Sequence, residues 1–188
     1  MLDKYLLSLQ ETYVISNKTI SCDLSKFTSK ETNVLLIAGI SASGKSTLGK
    51  KLAKKLKAKY IQTDYPCSDE KANKQGHPIA CYEHIFNQAI KSRQRAIIEG
   101  VLVYWSCLNE NNQLSPFFQK MKHTPIILLG TSVFRSAIQG YKRGQGDISI
   151  RQAFEWYVKY GIGDMKAYKI FKEYRLNVPG TEVDEFKI

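Results

Sequence analysis

The sequence predicts an α/β fold in three layers, with a central parallel sheet flanked by helices. Three observations carry that prediction. Short unbroken apolar runs recur at Val34-Leu35-Leu36-Ile37-Ala38, at Ala96-Ile97-Ile98 and at residues 125–129. Runs of this kind suit strands buried on both faces of a parallel sheet. The stretches between them have helical periodicity, and strands alternating with helices build a parallel sheet. Finally, 188 residues make about one domain at ~100–200 residues each, long enough to bury a core without disulfides or metal.

Each element follows in order. Residues 2–10 read as a short amphipathic helix through Leu2, Leu6 and Leu9. Residues 12–28 alternate and are β-branched, broken at Ser16-Asn17, which suits a small hairpin or a loose strand. We read residues 1–30 as an N-terminal extension and 31–188 as the main domain. The run at 34–38 is a strand closed by Gly39, and a helix spans 45–57. There Leu48, Leu52 and Leu56 repeat every fourth position, with Ala53 beside them, as a buried helical stripe. Tyr60-Ile61 is a second strand. Residues 66–78 are polar, hold Pro66, Gly76 and Pro78, and read as a loop. A helix follows over 80–91, then the strand at 96–98 ending in Glu99-Gly100, then the strand at 125–129. Helices are expected over 132–141, 150–160 and 164–173, with a Gly-rich loop at 144–146 and a last short strand near 176–178.

Composition narrows the class. Apolar residues are 43% and charged residues 24%, which excludes a disordered, collagen-like or coiled-coil chain. No apolar run reaches the ~18 residues of a membrane span, and the first residues lack a signal-peptide pattern, so no membrane partner is expected. Cys22, Cys67, Cys81 and Cys107 are scattered, with no CxxC pair. They read as free thiols in a cytoplasmic setting, not as a zinc site. The net charge of +11 is uneven, with +7 in residues 1–59. Six lysines fall between Lys50 and Lys59. They read as the solvated side of the helix, with a surface for nucleic acid or other phosphates as the alternative.

The chemistry is concentrated in Gly39-Ile40-Ser41-Ala42-Ser43-Gly44-Lys45-Ser46-Thr47, which fits GxxxxGK[ST] at every required position. A buried strand precedes it and a helix follows, as a phosphate-binding loop requires. Glycines let successive N–H groups turn toward phosphate oxygens, and the helix N-terminus favours an anion. We therefore assign ATP binding to Gly39, Ser41, Ala42, Ser43, Gly44, Lys45, Ser46 and Thr47. Lys45 reaches the β- and γ-phosphates, and the Ser46 hydroxyl is a ligand for Mg²⁺. With this loop the fold class becomes the three-layer P-loop NTPase fold, with a helical lid.

A phosphotransferase also needs carboxylates near metal and acceptor. Asp64 follows the strand at 60–61, and Glu99 ends the strand at 96–98. Ligands of open α/β sheets sit beyond the carboxyl ends of strands, so both acids are expected to face the loop. Asp64 is the expected general base, and both are expected near Mg²⁺; the plainer reading of each is turn chemistry. Arg135, Arg143 and Arg151 flank a Gly-rich break at 144–146. That pattern suits a closing lid whose guanidiniums steady the transferring phosphate. Arg135 and Arg143 are the expected catalytic pair, Arg143 also touching ATP, while Arg151 equally suits the start of the next helix. On the acceptor side, Tyr65, His77, Tyr82 and His84 are within reach. Tyr104 and Trp105 either stack on a flat ring or belong to the core. The segment 174–179 is a place for adenine contacts.

These residues together resemble the uridine kinase-like branch of the P-loop kinases, which includes uridine, nicotinamide riboside, pantothenate and phosphoribulokinase-type enzymes. The phosphate loop resembles the family's GxxGSGKST. Gln62-Thr63-Asp64-Tyr65 is similar to its Q-D-D/S-F-Y segment, and His77-Pro78-Ile79-Ala80 to H-P-D-A. Glu99-Gly100-Val101-Leu102 is similar to E-G-[IV]-L, and Lys142-Arg143-Gly144-Gln145 to the lid's E-R-G-R. Thr63, Ile79 and Gln145 depart from those patterns. Thr63-Asp64 also resembles the T-D of the polynucleotide kinase and 2-phosphoglycerate kinase-like branch. The resemblance implies an ATP- and Mg²⁺-dependent kinase acting on a hydroxyl of a small, nucleoside-like molecule. The alternatives are a kinase for a phosphate-rich or nucleic-acid-end substrate, and a nucleotide-binding switch or regulatory ATPase.

Overall fold

A computed structural model describes residues 10–15, 18–23, 27, 32–40, 42–63, 78–108, 111, 113–130, 150–177 and 183–187. The elements are β1 (Gln10–Ile15), β2 (Lys18–Asp23), β3 (Val34–Gly39), α1 (Lys45–Leu56), β4 (Lys59–Gln62) and α2 (Pro78–Ser92). They continue with β5 (Ala96–Glu99), α3 (Leu102–Trp105), α4 (Pro116–Met121), β6 (Ile126–Gly130), α5 (Ile150–Leu176) and β7 (Val183–Lys187).

Five strands form one parallel sheet in the order β4-β5-β3-β6-β7. The strand that leads into the phosphate loop, β3, is central, and all six of its residues are buried. Side chains of a strand alternate between faces, and the core divides accordingly. Leu35 and Ile37 face α1, where they meet Leu48, Leu52 and Ala53, with Ile97, Ile127 and Leu129 from the neighbouring strands. Val34, Leu36 and Ala38 face the other way, toward Tyr82 and Phe86 of α2, Phe117 and Phe118 of α4 and Phe171 of α5. Among the described residues, one helix on one face and four on the other make the three layers. β1 and β2 form a separate antiparallel pair whose register runs from Gln10 with Asp23 to Ile15 with Lys18. β1 touches α1 and β2 touches β7.

The helix ends are fastened in different ways. At the end of α1 the Ala58 N–H donates to Ala53 O at 2.9 Å, the long closing bond that ends a helix in a left-handed residue. That residue is Lys57, with φ 50°. The side-chain amide of Asn33, just before β3, donates to Ala89 O at 2.8 Å and ties down the last turn of α2.

Three expectations are corrected. The two helices read over 150–160 and 164–173 are one 27-residue helix, α5. Gly161 and Gly163 do not break it; a helical glycine costs only about 1 kcal/mol. The last strand is not at 176–178, where α5 ends, but at Val183–Lys187. Its sequence VDEFK is too polar to read as a buried strand. Finally, α3 and α4 were not expected. Both are short, and α4 declares itself only through Pro116 at its start and the buried Phe117, Phe118 and Met121. The expected helices at 2–10 and 132–141 lie outside the described residues, save that Gln10 opens β1. Among the described residues no helix is long and apolar enough to cross a membrane.

Candidate nucleotide-binding site

The loop after β3 has the backbone of a phosphate cradle. Ala42 has φ 57° and Gly44 φ 89°, and left-handed residues within a loop help turn N–H groups toward a bound anion. The Ser43 N–H donates to Ile40 O at 3.1 Å, and the Leu48 N–H to Gly44 O at 3.0 Å, which joins loop to helix without a gap. Ala42 stands where the resembled motif carries glycine, so this chain holds an alanine in a conformation glycine adopts without strain. Gly39 is required by space. A Cβ there would lie 2.5 Å from Ser43 Oγ and 2.6 Å from the Leu129 carbonyl oxygen of β6.

Lys45 is the first residue of α1 and is buried. Its Nζ donates to Ile40 O at 3.0 Å, which holds the ammonium over the loop. Ser46 is half-buried and Thr47 exposed.

Glu99 ends β5, in register with Ile37 of β3 on one side and Gln62 of β4 on the other. Its side chain is fully buried. Oε1 accepts a 2.5 Å hydrogen bond from the Tyr60 hydroxyl of β4. The acid lies beneath α1: a Cβ on Gly49 would be 3.6 Å from Glu99 Cγ and 2.8 Å from Tyr60 Cε2. Residues three apart share a helix face, so Ser46 is on the Gly49 side of α1, toward this carboxylate. Hydroxyl and carboxylate oxygens are the donors that Mg²⁺ takes, so the residue types at this place fit the ion.

Thr63, which stands where the resembled family has an acid, is buried and bound to the backbone. Its N–H and Oγ1 both meet Glu99 O, at 2.9 and 3.0 Å. It fixes the end of β4 against β5, immediately before Asp64. Ser41, Asp64, Tyr65, His77, Arg135 and Arg143 lie outside the described residues.

Two expected acceptor contacts belong to the core instead. Tyr104 is fully buried, edge-on to Tyr168 with ring centres 5.6 Å apart and close to Phe171. Tyr82 is equally buried, edge-on to Phe117 at 5.6 Å, and burial holds its phenol well above the usual range. Both follow from the helices that carry them, whose apolar sides cover the sheet. His84 is exposed beside Gln88. Arg151 pairs with Glu155 at 2.9 Å on the exposed first turn of α5, which is surface chemistry.

Sequence reasoning missed Tyr60 and Gly49 as neighbours of Glu99. The available signal was Gly49 itself, a glycine inside an otherwise good helix, which marks a close approach. Arg175 is a further structural residue with no signal in the sequence. It is fully buried and its guanidinium donates to Met121 O at 2.9 Å, to Lys122 O and to Thr124 O, closing the end of α4. A cation suits a helix carboxyl end; burial still lowers its pKa to about 10.

No family model matches this chain, and no curated protein matches it in sequence. Solved structures do. An uncharacterized protein from Eubacterium ventriosum matches with a TM-score of 0.53 at 14% identity, over 82% of this chain and 87% of that one. Shikimate kinase from Bacteroides thetaiotaomicron matches with a TM-score of 0.50 at 15% identity, over 73% of this chain and 82% of that one. Likeness at this identity shows the fold alone, a three-layer α/β fold around a central parallel sheet.

Proposed function

We propose that this chain is an ATP- and Mg²⁺-dependent kinase that transfers the γ-phosphate to a hydroxyl of a small, nucleoside-like molecule. One observation carries the reading: a buried carboxylate, Glu99, ends the strand beside the phosphate loop and lies beneath the first turns of the helix that the loop opens. A loop for phosphates with an acid beside it is the minimum equipment for phosphoryl transfer.

The loop N–H groups and Lys45 bind the phosphates and neutralise their charge. Ser46 and Glu99 would hold Mg²⁺, directly or through water, with Asp64 close by. Bound there, the ion spreads the negative charge of the β- and γ-oxygens. Asp64 follows Thr63, whose two bonds to Glu99 O anchor the strand end. It accepts the proton of the acceptor hydroxyl. Arg135 and Arg143 steady the transferring group and exclude water. Tyr65 and His77 contact the acceptor.

The test is transfer from γ-labelled ATP to a panel of nucleosides, nicotinamide riboside, pantothenate, glycerate, sugars, shikimate and 5′-hydroxyl oligonucleotides. Transfer to one small alcohol, lost in Asp64→Asn while ATP binding persists, is the expected result. ATP hydrolysed or only bound, with no acceptor phosphorylated and Asp64→Asn without effect, would instead describe a nucleotide switch.

A further inference from the structure

At the end of the sheet opposite Gly39, two turns lie side by side. One joins α1 to β4 and the other joins α2 to β5, and the Lys59 N–H donates to Arg95 O at 2.8 Å between them. Each turn contains a residue with left-handed backbone: Lys57 with φ 50° and Arg93 with φ 54°. Glycine is the usual occupant of such a position just past a helix. Here both are basic and exposed, and exposed Lys54, Lys59 and Lys91 surround them. Segments 45–59 and 91–95 contain no Asp or Glu.

A solvated helix side accounts for lysines along α1. It does not account for two separate turns that converge on one place, each with a strained backbone and a cation where glycine would be relaxed. We infer that this face binds nucleic acid through its phosphate backbone. An anionic membrane is the poorer fit, because a helix enters the interface by its apolar side, and α1 turns Leu48, Leu52 and Ala53 to the sheet. The face is also apart from the transfer site. β5 runs from Ala96 beside it to Glu99, roughly 10 Å of strand at ~3.3 Å per residue. Nucleic acid held here does not take the acceptor's place, and the inference stands whether or not the chain is a kinase.

The experiment is fluorescence anisotropy with a labelled DNA duplex and a matching RNA, titrated from about 50 to about 200 mM NaCl. Binding to at least one is expected, with log K falling linearly in log salt. In the double variant Lys57→Gly with Arg93→Gly the slope should shrink by about two and the affinity should fall several-fold. The thermal midpoint should not fall, because the backbone strain is relieved as the charge is removed. A second pair, Lys54→Gln with Lys59→Gln, leaves both turns as they are and should shrink the slope equally. No binding at the lowest salt overturns the inference. So does binding that both pairs leave unchanged, or capture by phosphatidylserine vesicles without capture of either nucleic acid.

Discussion

The Tyr60 hydroxyl on the edge strand β4 donates to Glu99 Oε1 on β5 at 2.5 Å. Glu99 is therefore held by a neighbour one strand further from the phosphate loop, and its carboxylate is oriented before any nucleotide arrives. Glu99→Gln should lower transfer by about 10²–10³-fold while ATP still binds, as measured by calorimetry beside the labelled-ATP assay. Tyr60→Phe keeps the ring and loses only the bond. It should cost about tenfold in transfer, as loss of an outer partner of a metal site does, and should raise the Mg²⁺ needed for half-maximal rate. Equal rates in Tyr60→Phe and the parent chain would separate the bond from the chemistry.

Gly39→Ala tests the spatial demand of the loop. Ser43 Oγ can rotate away from a new Cβ, but the Leu129 carbonyl oxygen belongs to the β6 backbone and cannot. We expect a stability loss of roughly 1–3 kcal/mol, read by urea unfolding, and an ATP affinity too weak to measure by calorimetry.

Ala42→Gly should act in the opposite direction. The alanine is held at φ 57°, and relief of a left-handed residue is worth about 1 kcal/mol after the greater freedom of unfolded glycine is counted. A higher thermal midpoint is the predicted result; an unchanged or lower one would show that the loop draws no strain from this residue.

Arg175→Met removes the buried guanidinium and with it one donor from each of the carbonyls of Met121, Lys122 and Thr124, of which Met121 O keeps the Thr124 N–H. A loss of about 3 kcal/mol is expected, measured by urea unfolding. Arg175→Lys, with the charge but not the planar fork, should fall between the two.

The pH dependence of stability has a defined sign. Burial pushes the Cys107 thiol from its usual 9.0 up to about 12. Above pH 9 the unfolded thiol gives up a proton that the folded one keeps, so stability falls as pH rises. Between about pH 9 and about pH 10 the loss contributed by this thiol should be about 1 kcal/mol. Cys107→Ala should flatten that stretch of the curve, and native Cys107 should resist a thiol reagent that modifies it after unfolding.

The strands of the sheet were legible because parallel strands covered on both faces are written as unbroken apolar runs. The phosphate loop was legible because its chemistry fixes residue types at fixed spacing, and Glu99 because it ends such a run. The meeting of Tyr60 with Glu99 was not legible, since it depends on the register of β4 against β5 and nothing local encodes that. Tyr82 and Tyr104 misled for a related reason: a hydroxyl suggests a site, while the helix that carries it turns the ring inward. Arg175 was hidden because a charge in a sequence reads as surface until its three carbonyl partners are seen. In β7 the order of difficulty is reversed. It pairs along its whole length with β6, yet its polar sequence gives little sign of a strand.

The place of β3 in the sheet also sets an order of assembly. It precedes both strands it pairs with, β5 and β6, in the chain. As synthesis proceeds from the amino end, the strand bearing the phosphate loop emerges early: one edge waits for Ala96–Glu99 and the other stays open until Ile126–Gly130 has followed. Among the described strands, the β1–β2 pair is the one that closes from residues adjacent in sequence. Nucleotide therefore has no finished cradle to grip on a growing chain. Gly39, whose closest backbone constraint is Leu129, takes its final surroundings only when the sheet's middle is complete.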